Sequence, residues 1–115
     1  MIQRFTTVTF QELLTNMTDD RRSHNRVSIR LPVKWDAMSG SHEARTDDIS
    51  LSGCFIDTAA RVELEEVVEL EVQLPSGDWL PISGTVASYQ PSIGFGLVFS
   101  SLTKEAEDAL TNLLR

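Results

Sequence analysis

Between Val27 and Trp35 every second residue is apolar: Val27, Ile29, Leu31, Val33 and Trp35 alternate with Ser28, Arg30, Pro32 and Lys34. Side chains on an extended backbone point alternately to opposite faces, so this spacing reads as a strand with one buried and one wet face. Pro32 has no amide hydrogen to donate and belongs at an edge, at a bulge, or facing away from the ladder. The pattern then recurs. After a turn at Met38-Ser39-Gly40-Ser41-His42, Glu43 to Ile49 reads as a second strand, and Cys54-Phe55-Ile56 opens a third, more buried one. Beyond a turn-rich connection from Ala59 to Glu66, Val68, Leu70, Val72 and Leu74 face inward while Glu69, Glu71 and Gln73 face outward. Pro75-Ser76-Gly77-Asp78 makes a tight turn. Trp79 to Tyr89 and Ile93 to Phe99 form the last pair, joined at Gln90-Pro91-Ser92. Gly84, Gly94 and Gly96 within that pair mark bends or close backbone approach, as a small barrel requires.

Both ends of the chain change period. Thr103 is placed to cap a helix whose first turns carry Glu105, Glu107 and Asp108, where the helix dipole favours acids. Leu102, Ala106, Ala109, Leu110, Leu113 and Leu114 form its apolar face. Near the start, Thr9 and Glu12 are spaced as a capping box, followed by an apolar stripe of Phe10, Leu13, Leu14 and Met17. So short a helix needs something to lie on, either the body of the domain or a partner surface. Several short strands followed by a helix read as an all-β barrel with helical additions.

At 115 residues the chain has room for one modest core. It contains no apolar run near the ~20 residues that span a bilayer, and its first residues lack a signal-peptide h-region. A single cysteine, Cys54, has no internal disulfide partner, and the chain reads as cytoplasmic. The net charge of −7 argues against a general nucleic-acid binder.

Against that acidic background, five of the ten Lys and Arg residues fall between Arg21 and Lys34, with no Asp or Glu among them. Arginine forks on a flexible lead-in suit a small polyanion with planar hydrogen-bonding edges. A solvated charge run is the plainer reading of that stretch alone. Further on, Asp48-Ile49-Ser50-Leu51-Ser52-Gly53 sets an acid, a hydroxyl and a glycine at the spacing D-x-S-x-x-G. Arg22-x-x-x-Arg26 followed by that hexapeptide, one strand and one turn later, resembles the PilZ domain, the bacterial receptor module for cyclic di-GMP. The resemblance runs from Asp20 to the C-terminus, dividing the chain into an extension, 1–19, and a domain, 20–115.

The resemblance implies a six-stranded antiparallel β-barrel with a C-terminal helix; the first helix lies outside the family's core pattern. It also implies roles. Arg22 and Arg26 take guanine edges and phosphates from a mobile lead-in. Asp48 and Ser50, on the barrel surface, take the guanine donor edge and a backbone or phosphate oxygen. Gly53 keeps the turn tight enough for the ligand to lie flat. An arginine at the place of Arg21 is associated in this family with a stacked pair of ligands, so one molecule and two both remain open. The expected function is that of a non-enzymatic receptor that changes shape on binding cyclic di-GMP, needs no cofactor and signals to a downstream protein partner. No nucleic acid and no membrane insertion are expected, and a homodimer is left open. The alternative is a PilZ-like interaction module that binds proteins and no nucleotide.

Other chemistry finds less support. His24 and His42 lack metal-ligand spacing and read as loop residues on the surface. Glu63, Glu65, Glu66, Glu69 and Glu71 read as a solvated outer face, and Arg30 as a solvent-facing strand residue. Cys54 reads as a small core residue with nothing to activate it. Ser50 and Ser52 sit in no nucleophile elbow.

Overall fold

The computed structural model describes residues 26–115. The expected 1–19 extension, its Phe10/Leu13/Leu14/Met17 helix, and Arg21, Arg22 and His24 all lie outside the described residues. Six strands follow in order: β1 (Pro32–Ala37), β2 (Gly40–Ile49), β3 (Gly53–Asp57), β4 (Val67–Gln73), β5 (Trp79–Gln90) and β6 (Gly94–Ser101). A helix, α1 (Lys104–Leu113), ends the chain. Every pairing is antiparallel, and the strands close as β1-β2-β3-β6-β5-β4 back to β1.

The alternation seen in the sequence becomes the barrel's inside and outside. Val33 and Trp35 from β1, Val68, Leu70 and Val72 from β4, and Ile82 and Val86 from β5 are buried together with Phe95 and Leu97 from β6. Bulges interrupt the register at Thr46/Asp48, Ser83/Gly84 and Val86/Ser88. Such irregularities bend strands and raise their twist, which allows a short sheet to close. Thr103 caps α1 by accepting the Ala106 amide at 3.0 Å. Ala106 and Leu110 are the buried face of that helix, and they join the core.

Three local expectations change. The turn between β1 and β2 is only Met38-Ser39, because Ala37 already pairs with Gly40. His42 is therefore a strand residue, not a loop residue: it pairs with Trp35, and the two rings stack at 4.2 Å. The uninterrupted strand from Val27 to Trp35 is also divided. Only Pro32 onward belongs to β1, while Val27 forms a separate bridge to Ile49. The spacing marks which residues face inward, but pairing depends on which backbone lies alongside, and residues 27–31 lie beside the far end of β2. Among the acids, Glu66 is more than a solvated side chain: its carboxylate accepts the Met38 amide at 2.7 Å and the Glu63 amide at 2.9 Å, clamping a loop to the β1–β2 turn.

Candidate ligand-binding site at the β2–β3 corner

The lead-in, residues 26–31, is fastened to β2 at two points. Val27 exchanges both backbone hydrogen bonds with Ile49, at 2.9 and 3.0 Å. The fully buried Thr46 makes the other attachment. Its hydroxyl accepts the Leu31 amide at 2.9 Å and donates to the Ile29 carbonyl at 2.6 Å, while its own amide donates to Leu31. A buried hydroxyl with both its donor and acceptor roles filled avoids the desolvation cost of an orphaned one. Nothing in the sequence motifs singled out Thr46, although a threonine at an inward position of an alternating strand was the available signal.

Just ahead of the first point, Arg26 reaches Asp48. Its Nη2 donates to Asp48 Oδ1 at 2.7 Å, joining one residue of each sequence motif. The bulge between Thr46 and Asp48 turns Asp47 and Asp48 outward in succession. Arg30 is also paired rather than free in solvent, with Asp57 at 3.1 Å and Asp47 at 3.9 Å.

The corner after Asp48 is built from its own polar groups. The Ser50 amide donates to the Gly53 carbonyl at 2.8 Å, and the Ser50 hydroxyl accepts the Ser52 amide at 3.1 Å. The Ser52 carbonyl accepts the Phe99 amide, tying the corner to β6. Ser50 is thus fully buried, which corrects the expectation that it lies on the barrel surface. A serine hydroxyl reaches backbone groups one turn away, and here it turns inward to satisfy them. Gly53 serves close approach rather than a positive φ, since a Cβ there would collide with the Leu97 carbonyl oxygen on β6.

Beneath the corner, the Cys54 thiol is pushed up to about 12, first by burial and then by the Asp48 charge, with Arg26 opposing. It is a neutral core group, as its place in the sequence indicated. Among the described residues, no three His, Cys, Asp or Glu side chains gather as a metal site, and no helix is long and apolar enough to cross a membrane.

A closed antiparallel barrel with a terminal helix and an arginine–aspartate pair at one corner defines the class of domain. The match to known families agrees: the PilZ domain model covers residues 20–115, and this chain belongs to the PilZ domain family. Solved structures share the fold. The Bacillus subtilis inhibitor of motility, MotI/DgrA, superposes with a TM-score of 0.69 at 18% identity, over 82% of this chain and 49% of its own. The PilZ domain of CeSA from a cellulose-synthesizing bacterium gives 0.63 at 17% identity, over 78% and 94%. Borreliella burgdorferi PlzA, in complex with c-di-GMP, gives 0.58 at 15% identity, over 91% and 46%. Aligned regions thus span about half of MotI/DgrA and of PlzA.

Proposed function

We propose that this chain is a non-catalytic receptor for cyclic di-GMP, which it binds at the β2–β3 corner, and that binding alters its shape for a protein partner to read. The observation that carries this reading is the 2.7 Å contact between Arg26 and Asp48. One position of the R-x-x-x-R motif and one of the D-x-S-x-x-G motif meet there, in a chain of the PilZ family. PlzA, a structural relative, is solved with c-di-GMP bound.

The chemistry fits. An ionised carboxylate only accepts hydrogen bonds, so Asp48 matches the N1–H and N2–H₂ donors of guanine. The Arg26 fork matches O6 and N7 on the opposite edge, a pairing that contributes about 1–3 kcal/mol of base discrimination in DNA. It also matches a phosphate, where a charge-assisted bond contributes roughly 1.5–3 kcal/mol. Arg22 and Arg21 are proposed as further phosphate or base contacts. Ser50 and Gly53 are assigned the shaping of the corner. Two or three arginines with base stacking reach the ~8 kcal/mol that corresponds to 1 μM.

Ligand engagement exchanges the Arg26–Asp48 contact for contacts to the nucleotide. A ligand shifts a conformational equilibrium only through its different affinity for the two states, and this exchange supplies such a difference. Calorimetric titration with cyclic di-GMP, with GTP and cyclic GMP as controls, tests the reading. Saturable heat specific to cyclic di-GMP is expected; no heat and no thermal shift overturn it.

A further inference from the structure

We infer that Phe55 is the platform on which a guanine of the ligand stacks, an affinity contact absent from both sequence motifs. The inference rests on the receptor reading of the same corner. Phe55 pairs directly with Asp48 across β2 and β3. Directly opposed residues of an antiparallel pair share a face, with Cβ atoms about 4.5–5.5 Å apart. Its neighbours Cys54 and Ile56 are buried in the core, while Phe55 is half-buried on the outer face beside the Arg26–Asp48 contact.

The other side of the ring meets β6, where its partner is Gly96. A Cβ on Gly96 would stand 3.9 Å from Phe55 Cδ1, and one on Gly94 would stand 2.7 Å from Cε2. Those two ring atoms are opposite corners, so the ring reaches both glycines of β6. It occupies space that two side chains would otherwise fill. Beyond Gly96 the next paired residue is Ser88, too small to roof the ring. Two glycines of β6 thus flank the ring, and the half-buried Phe55 keeps part of its surface in solvent, where a planar group can reach it.

A purine stacked there brings its edge to Asp48 at one cross-strand spacing. Stacking tolerates any base, because every base has a π-face. Asp48 then selects guanine by accepting from N1–H and N2–H₂. A ring that merely filled the gap above the glycines would contribute to stability and leave affinity unmoved, and that contrast separates the two roles.

The test compares the full chain with Phe55→Leu and Phe55→Trp, by calorimetry with cyclic di-GMP and by Trp emission. Phe55→Leu is expected to weaken binding about 5- to 150-fold, the range for losing one stacked base. Phe55→Trp is expected to bind as the unmodified chain does, and to add emission that cyclic di-GMP quenches beyond the Trp35 and Trp79 background. If the unmodified chain binds but Phe55→Leu binds equally well, the platform is overturned and the receptor reading stands. If the unmodified chain does not bind, the receptor reading falls and takes the platform with it. Should Phe55→Leu fail to fold, the Phe55→Trp emission decides: ligand-dependent quenching supports stacking, and unchanged emission overturns it.

Discussion

Arg26 and Asp48 are 22 positions apart in the chain, yet their side chains meet at 2.7 Å. About one-third of each is exposed, at 34% and 28%. Solvent screening holds such a pair to roughly 0–1 kcal/mol of stability. The contact is therefore cheap to break, and a ligand that offers Asp48 two donors and Arg26 two acceptors can replace it. Asp48→Asn is expected to lower cyclic di-GMP affinity about tenfold or more, since one acceptor becomes a donor facing guanine N–H groups. Urea unfolding of the same variant is expected to move by less than about 1 kcal/mol.

The arginines are expected to respond differently from the acids on the far strands. Arg22→Ala and Arg26→Ala should each weaken cyclic di-GMP by an order of magnitude or more in calorimetry, the loss of one charge-assisted contact. Arg26→Lys keeps the charge but not the planar fork, and should recover only part of that loss. Glu69→Ala, on β4, should bind as the unmodified chain does.

Thr46 is where stability and binding meet. Its hydroxyl holds Ile29 and Leu31 of the lead-in that carries Arg26. Thr46→Val keeps the shape and removes the bonds, leaving the buried Leu31 amide and the part-buried Ile29 carbonyl short of a partner. A destabilisation of about 1–3 kcal/mol is expected in urea titration, with weaker cyclic di-GMP binding measured on the folded variant.

Gly53→Ala tests the close approach at the corner. The added methyl would collide with the Leu97 carbonyl, backbone that cannot rotate away as a side chain does. Separating β3 from β6 to admit it should cost about 1–3 kcal/mol, seen as a lowered Tm.

Cys54 sets an alkaline limit. Its folded-state value, near 12, lies above the ordinary 9.0. Between those values the folded state holds a proton that the unfolded state has released, so stability falls as pH rises. The contribution is complete below pH 9 and is lost as pH climbs toward 12. Cys54→Ala should flatten the stability profile over that window in denaturant titrations. The thiol of the folded chain should also resist alkylation at neutral pH.

Much of the barrel was legible because strand alternation is a local property. Val33, Trp35, Val68, Leu70 and Val72 point inward as their spacing implies, and Thr103 caps α1 as its position before the acidic turn implies. The motif spacing singled out Arg26 and Asp48, whose side chains meet in the fold. Less legible was where hydrogen bonds go. Residues 27–31 carry the same alternation as β1 but pair with a different stretch of β2, and His42 looked like a loop residue until its strand was set against Trp35. The family resemblance implies a surface position for Ser50, whereas local backbone groups draw its hydroxyl inward.

By itself, the amino-acid sequence determined which side chains face a core, where turns fall, and that two motifs of complementary chemistry share one chain. Only the tertiary structure decided that the barrel closes between β1 and β4, that Thr46 anchors the lead-in, and that Phe55 pairs with Asp48 on one side and Gly96 on the other. The reason is the range of the interactions. Periodicity and capping act within a few residues, whereas register, closure and the meeting of Arg26 with Asp48 depend on strands brought together from distant parts of the chain.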